Sequence, residues 1–90
     1  MSEKKQLKLS ARAIANMGAI KKHIAADNPS AAESVFSAVD SLVDNPLIGH
    51  SGQRTNTREL VLTRYPYTVI YRVTVTRIIV AAVVHQRQKH

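Results

Sequence analysis

The chain contains no cysteine and no tryptophan, and only one phenylalanine. Without cysteine there is no disulfide framework, no thiolate metal site and no thiol nucleophile, which suits a reducing compartment. No apolar run approaches the roughly 18 residues of a membrane-spanning helix. The charged start MSEKKQLKL also lacks the apolar core of a signal peptide. These absences predict a cytoplasmic protein that does not enter a membrane.

Acidic residues are scarce in one half of the chain. The 90 residues carry a formal net charge of +7. Residues 1–44 hold six Lys and Arg against five Asp and Glu, whereas residues 45–90 hold seven against Glu59 alone. Six of these seven cations are arginines, whose planar fork matches carboxylates and phosphates. We therefore expect an acidic partner, a nucleic acid or an acidic protein segment; the alternative is a solvated basic surface that only keeps the protein soluble.

Several kinds of site are missing from the sequence. Because Glu59 is the only acid of the second half, a pair of catalytic carboxylates is not expected there. No two histidines are spaced four residues apart as metal ligands on a helix would be. Gly49 and Gly52 are too loosely spaced for a phosphate-binding loop, and no lysine follows them at the required position. We predict neither a metal nor a cofactor.

The segment TRELVLTRYPYTVIYRVTVTRIIVAAVVHQRQ is dense in β-branched and aromatic residues. It predicts strands over residues 58–63, 65–73 and 77–86, with Pro66 at the start of the second because proline has no backbone donor. The connections are so short that the three strands must be antiparallel neighbours. Side chains alternate between the two faces of a strand, so one face of the last strand carries a wholly apolar row. We expect this row to face the core; it consists of Ile78, Val80, Ala82 and Val84. The row with Arg77, His85 and Arg87 is then expected to face outward.

The first half of the chain predicts two helices. Ser10 suits an N-cap, and residues 11–27 show a helical period. Its apolar stripe consists of Ala13, Ile14, Met17, Ile20 and Ile24, with Arg12, Asn16 and His23 on the opposite side. Asn28 and Pro29 suit the start of a second helix, which runs to about residue 44. The short link between the helices predicts an antiparallel hairpin.

A short edge strand over residues 7–9 precedes these helices, and residues 47–56 are expected to form a loop. The order strand, helix, helix and then three strands predicts an α+β fold in which the helical hairpin covers one face of an antiparallel sheet. A chain of 90 residues that is 44% hydrophobic has material for one modest core. We therefore treat residues 1–90 as a single domain.

One group of polar side chains is compatible with chemistry. It lies on the neighbouring predicted strands and consists of Arg58, Arg72, His85, Arg87, Tyr71 and Lys89. A histidine that transfers protons beside arginines that stabilise charge is what metal-free RNA cleavage by the 2′-hydroxyl requires. Alternatively, these groups pair with Glu59, cap strand ends or bind the acids of a partner. Spacing alone favours the second interpretation.

Four segments in this order resemble the RelE/ParE superfamily of toxins from type II toxin–antitoxin systems: IAADNPSAAESVFSAVDSLVDNPLIG, TRELVL, YPYTVIYRV and IIVAAVVHQRQ. The resemblance spans about residues 9–88. Its most specific parts are Asn28-Pro29, Asn45-Pro46 with Gly49, Arg58-Glu59-Leu60, Tyr71-Arg72-Val73 and His85. The fold that the resemblance implies, a helical hairpin on an antiparallel sheet, agrees with the order of elements above.

The superfamily divides in function. RelE-like members cleave messenger RNA on the ribosome, whereas ParE-like members poison DNA gyrase. Ribonuclease members carry an arginine where this chain has Thr68, and some carry a glutamate where it has Ile48. These departures favour a ParE-like toxin that binds DNA gyrase and performs no chemistry of its own. The alternative is a RelE-like mRNA endoribonuclease, whose catalytic residues would be Arg58, Tyr71, His85 and Arg87.

The resemblance also implies a partner, a cognate ParD-like antitoxin with an acidic or amphipathic C-terminal segment that forms a hetero-oligomer with the toxin. The basic second half makes such a complex physically reasonable, because long-range attraction speeds the encounter and apolar burial then holds it. The predicted partner-binding residues are Arg58, Arg64, Arg72, Arg77, His85, Arg87 and Lys89.

Overall fold

A computed structural model describes residues 5–24, 28–52, 56–62 and 64–85. The first half forms β1 (Gln6–Leu9), α1 (Ala11–Ala19), a π-helical turn (Ile20–Ile24) and α2 (Pro29–Ser41). Four further strands follow: β2 (His50–Ser51), β3 (Arg58–Val61), β4 (Tyr67–Val73) and β5 (Arg77–His85). Within these described ranges, no helix has both the length and the apolar character needed to cross a bilayer.

All five strands form one sheet in the order β1-β5-β4-β3-β2. The predicted antiparallel meander is confirmed, since β3 pairs with β4 and β4 with β5 in antiparallel register. The predicted edge strand is also confirmed. It pairs in parallel with β5, Leu7 opposite Ile78 and Leu9 opposite Val80, so the sheet is mixed. The chain between these parallel neighbours contains both helices and β2 to β4, so it is long enough for a parallel connection, and the predicted α+β fold is confirmed.

The loop predicted over residues 47–56 contains a strand that sequence reasoning missed. His50 and Ser51 pair with Glu59 and Arg58 in antiparallel register and form the edge strand β2. A strand of two residues has no periodicity of its own, so only its pairing with β3 defines it. The other strands lie where they were predicted, with two shorter ends: β3 stops at Val61 rather than at residue 63, and β4 begins at Tyr67, after the proline that cannot donate to the ladder.

Both predicted helix starts are confirmed. Ser10 Oγ accepts a hydrogen bond from the Ala13 amide at 3.1 Å, and Asn28 Oδ1 accepts one from the Ala31 amide at 3.2 Å. Pro29 occupies the first turn of α2, where its missing donor has no cost. The first helix is α-helical only to residue 19 before it widens into the π-helical turn, and the second ends at residue 41 rather than 44.

The strand β5 contains a bulge at Ala81. Ile70 on β4 lies opposite Ala82, but the next residue, Tyr71, lies opposite Val80. The extra residue exchanges the two faces of the strand beyond it. The predicted continuous apolar row is therefore wrong beyond position 80: the remainder of that row turns to the face opposite the helices.

The same bulge corrects the predicted orientation of His85. Val83 lies opposite Val69 and His85 opposite Tyr67, so both share the face on which the core packs. His85 therefore does not face outward with Arg77, as simple alternation predicted. All of the described β5 residues from 82 to 84 are buried, although they alternate between the two faces.

Helix α1 supplies the hydrogen bonds that the bulged edge of β5 needs, because β1 ends before the bulge. Ser10 donates from its amide to the Val80 carbonyl at 2.9 Å and from its hydroxyl to the Ala81 carbonyl at 2.7 Å. Asn16 Oδ1 accepts from the Val83 amide at 3.1 Å. The prediction that Asn16 faces away from the core side was thus wrong, since it contacts the sheet.

The core lies between the helices and one face of the sheet. Helix α1 contributes Ala13, while Ile14, which the helical stripe placed in the core, is 60% exposed. The buried cluster comprises Ala13, Ile20, Ala32, Val35, Val39, Leu42, Tyr67, Val69, Tyr71, Ile78, Val80 and Val83. Leu7, Leu9 and Leu60 pack against its margin. This core fixes which side chains of β3, β4 and β5 reach the functional sites described next.

Candidate functional site

Two members of the predicted catalytic group, Arg58 and Tyr71, lie opposite each other on β3 and β4. The Tyr71 hydroxyl donates to the Pro46 carbonyl and accepts from the Gly49 amide, both at 2.9 Å. Arg58 Nη1 donates to the Gly49 carbonyl at 2.6 Å. Both side chains therefore bind the backbone of residues 46–49, which connect α2 to β2 and are called here the 46–49 loop.

Gly49 is required by the close approach of this loop to the sheet. A Cβ atom at this position would lie 2.8 Å from both the Glu59 carbonyl oxygen and the Tyr71 hydroxyl. The carbonyl belongs to the paired strand β3 and cannot move without breaking the ladder. Any side chain at Gly49 would consequently push the loop off Tyr71 and disrupt the hydrogen bonds around it.

His85 lies at the other end of the same sheet face. Its ring meets Tyr67 edge-on, with centroids 5.4 Å apart and planes at 82°. Together they border an open cavity of about 290 Å³, whose remaining lining is Asn16, Ala19, Ile20, His23 and Val83. His23 is exposed, as its helical position predicted, but its place beside His85 was missed because only the bulge in β5 brings the two histidines to one cavity.

The predicted catalytic group does not converge on one point. His85 lies opposite Tyr67, which is four residues from Tyr71 along β4. At a rise of about 3.3 Å per residue this separation is roughly 13 Å. Arg87, the fourth predicted member, lies outside the described residues. Across the described part of the chain, no group of three or more His, Asp or Glu side chains is arranged to hold a metal ion.

The exposed cations of the predicted partner-binding set lie outside both the 46–49 loop and the His85 cavity. Lys8 and Arg72 both flank Ile79 in the register of β1, β5 and β4, so all three share the sheet face opposite the helices. Arg77 lies on the same face of β5, two residues before Ile79. Arg64 is exposed in the connection between β3 and β4. The structure therefore groups Arg72 and Arg77 with Lys8, and leaves Arg64 apart from them.

Lys8 was absent from the predicted partner-binding set. Lys8 reaches the sheet face opposite the helices, beside Arg72 and Arg77, because β1 pairs in parallel with β5. The spacing of residues along the chain does not reveal this pairing. We call Lys8, Arg72 and Arg77 the basic cluster; all three are exposed, and none forms an ion pair with another described residue. The remaining predicted contacts, Arg87 and Lys89, lie beyond residue 85 and outside the described ranges.

Thr68 is the residue for which the resemblance implies an arginine in ribonuclease members, and its partners on both neighbouring strands are apolar. It lies on the face opposite the helices, between Val61 on β3 and Val84 on β5. The side chain is 0% exposed, and its hydroxyl has no hydrogen-bond partner among the described residues. Glu59, one register position further along the same face, is also buried, at 4% exposure. The position is filled by a short side chain without charge.

Known proteins resemble the chain along most of its length. The family model for the ParE toxin of the type II toxin–antitoxin system parDE matches residues 7–90. The protein Y4kP of Sinorhizobium fredii, whose name describes it as a candidate toxin, is 36% identical over 74 residues, which is 78% of this chain and 77% of that protein.

Solved structures show the same fold. A chain from the chromosomal ParDE toxin–antitoxin system of P. aeruginosa superposes with a TM-score of 0.77 at 24% identity, over 93% of this chain and 98% of that one. A chain of the RelBE2 toxin–antitoxin complex of Mycobacterium tuberculosis gives a TM-score of 0.67 at 18% identity, over 92% and 99%. With the match to residues 7–90, the sequence and the fold agree: the chain belongs to the ParE family of toxins from type II toxin–antitoxin systems.

Proposed function

We propose that the chain arrests growth by binding DNA gyrase, without chemistry of its own, and that a cognate antitoxin neutralises it. Membership of the ParE family supports a toxin that acts in this way. The observation that carries the proposal is the placement of Arg58 and Tyr71. Their polar groups hold the 46–49 loop at 2.6 to 2.9 Å and are directed at backbone atoms rather than at an open site.

The other polar groups also support a binding toxin rather than a ribonuclease. Charge stabilisation of a phosphorane requires cations beside the proton-transfer group. His85 lies roughly 13 Å along the sheet from Tyr71, by the rise of a strand, and the described residues around its cavity include no arginine or lysine. Thr68 lies between Val61 and Val84 and is uncharged, where the resemblance implies a cation in ribonuclease members.

For the antitoxin, the basic cluster of Lys8, Arg72 and Arg77 offers an exposed surface of one sign. An acidic segment would be attracted to it over about 8–10 Å at physiological ionic strength, which accelerates association more than it raises affinity. The partially exposed Ile79 between Lys8 and Arg72 adds apolar area to the same surface. Solved complexes of the related RelBE2 system are consistent with such a partner.

A supercoiling assay with the purified full-length chain tests the proposal. We expect inhibition of gyrase that increases with toxin concentration and disappears when the antitoxin is added. Mapping of transcript ends after induction should show no new cleavage sites. Full supercoiling at saturating toxin, together with new transcript ends, would replace this proposal with the RelE-like ribonuclease.

The variant His85→Gln separates the two functions further. Glutamine can retain hydrogen bonding but cannot transfer a proton near neutral pH, so a ribonuclease that uses His85 would lose most of its activity. A binding toxin should still arrest growth in this variant. Loss of growth arrest with an unchanged melting temperature and unchanged antitoxin binding would contradict the proposed binding mechanism.

A further inference from the structure

The 46–49 loop exposes two large apolar side chains side by side. Leu47 is 65% exposed and Ile48 is 54% exposed, and we call this pair the apolar tip. Exposed apolar residues that occur singly are ordinary on protein surfaces, but an adjacent exposed pair on one loop is a candidate contact. The residues on either side, Pro46 and Gly49, point their backbone groups inward to Tyr71.

The apolar tip is held by hydrogen bonds on both sides. Tyr71 binds Pro46 and Gly49, Arg58 binds the Gly49 carbonyl, and the Ile48 amide donates to the Asn45 carbonyl at 3.1 Å. The absence of space for a Cβ at Gly49 shows how closely the loop is seated on the sheet. A loop that is already ordered loses little conformational entropy when it binds, which favours affinity.

We propose that Leu47 and Ile48 are the anchor through which the toxin binds its target protein, and that they enter an apolar pocket on an acidic surface of that protein. This inference rests on the proposed function, because it requires a protein target. It assigns the half-buried Arg58 and the buried Tyr71 a role in positioning this anchor. The antitoxin and the target then contact different parts of the toxin.

Two observations and the proposed antitoxin contact select this occupant. Leucine and isoleucine side chains offer neither charge nor hydrogen bonds, so the tip lacks the phosphate contacts that supply most of the affinity for a nucleic acid. A second copy of the chain would bring together two molecules that each carry a formal charge of +7, which opposes self-association and favours an acidic partner. The antitoxin is assigned to the basic cluster, which includes Lys8 on β1, whereas the tip precedes β2 at the opposite edge of the sheet.

The test compares two surface changes in the full-length toxin. The first replaces the tip, Leu47→Ser with Ile48→Ser. The control is Val75→Ser, which removes an apolar side chain that is 90% exposed in the connection between β4 and β5 and lies outside both proposed contacts. Each protein is measured for growth arrest without antitoxin, inhibition of gyrase supercoiling, affinity for the antitoxin, and melting temperature.

We expect the tip variant to need about tenfold or more toxin for the same growth arrest and inhibition, as for truncation of anchor residues in other interfaces. Its antitoxin affinity and melting temperature should equal those of the wild type, and Val75→Ser should behave as wild type throughout. Unchanged growth arrest in the tip variant would overturn the inference. A parallel loss of antitoxin affinity would also overturn it, because the tip would then belong to the antitoxin interface.

An error in the proposed function would produce a different set of results from an error in the anchor. If the wild-type chain arrests growth but leaves supercoiling unchanged, DNA gyrase is not the target, and growth arrest still reports whether the tip is the anchor. If growth arrest in that case depends on transcript cleavage and survives the tip substitution, both proposals are wrong. If the wild type does not arrest growth at all, no target contact exists for the tip to make and the inference is likewise overturned.

Discussion

Two tyrosines on the same face of β4 have different surroundings. Tyr71 is completely buried, and both hydrogen-bonding functions of its hydroxyl are used by the 46–49 loop. Tyr67, four residues earlier, packs its ring against His85 and borders the open cavity beside α1. The strand gives the two residues the same orientation. What differs is the element that packs opposite each one, a close loop at one end and a widened helical turn at the other.

The difference shows that the groups a side chain can bind depend on which element of the fold packs against it. A tyrosine beside an arginine on paired strands resembles a catalytic pair until the loop is placed. The tyrosine hydroxyl then donates to and accepts from loop backbone groups, and the arginine donates to a loop carbonyl. At the other end, a histidine that alternation placed outward reaches the cavity with its ring, since the bulge reverses the faces of β5.

The largest expected effect comes from removing the close approach at the Tyr71 end. Gly49→Ala places a methyl group 2.8 Å from the Glu59 carbonyl and the Tyr71 hydroxyl. Because the carbonyl belongs to the ladder, we expect overpacking to lower the free energy of unfolding by about 3 kcal/mol. Urea denaturation followed by circular dichroism measures this change.

The matched control is Gly18→Ala. Gly18 lies inside α1, and nothing is within 4 Å of its added Cβ. Alanine is preferred over glycine in a helix interior by roughly 1 kcal/mol, so this variant should be more stable than the wild type. Equal effects of the two substitutions would show that the 46–49 loop is not seated on Tyr71 as described.

The next effect tests the two tyrosines directly. Tyr71→Phe leaves the buried Gly49 amide and the Pro46 carbonyl without their partner, and we expect a loss of about 2 kcal/mol in stability. Tyr67→Phe removes a hydroxyl at the margin of a cavity that water can enter, and its effect should stay within about 0.5 kcal/mol. Thermal unfolding of both proteins under identical conditions gives the comparison. Similar losses would mean that the loop does not distinguish the two ends of the strand.

Much of the fold was predictable because it is encoded in local patterns. Ser10 and Asn28 cap helices because their side chains accept from free amides in the first turn, which a sequence shows directly. The three long strands follow from β-branched and aromatic runs with connections too short for anything but antiparallel neighbours. The resemblance to the toxin superfamily rests on the same segments, and the family match confirms it.

The candidate site was less predictable because it depends on contacts between distant segments. The sequence predicts that side chains alternate between the two faces of β5 without interruption. Nothing in the run from Ile78 to Val84 marks Ala81 as an extra residue. The bulged residue contacts Ser10, which lies 71 positions earlier and donates to the Ala81 carbonyl. The 46–49 loop likewise acquires its shape from Tyr71, 22 to 25 positions later. Neither of these long-range contacts produces a periodic pattern in the sequence that could predict it.

The smallest effect concerns the hydrogen bond that α1 makes to the bulged edge. In Asn16→Ala the Val83 amide loses its acceptor, which costs about 1 kcal/mol. Alanine is the better helix former by roughly half that amount, so global stability should change by less than about 1 kcal/mol. The local effect should be larger than the global one, and hydrogen exchange monitored by NMR should show a faster Val83 amide.

In that experiment the amides that β5 donates to β4 serve as internal controls, since their acceptors are unchanged. Asn16→Asp is the matched variant because a carboxylate oxygen can still accept from the Val83 amide. Its exchange should resemble that of the wild type. If Val83 exchanges equally slowly in all three proteins, the edge of β5 is protected by something other than α1. The hydrogen bond between Asn16 and Val83 would then not be what holds α1 against this edge of β5.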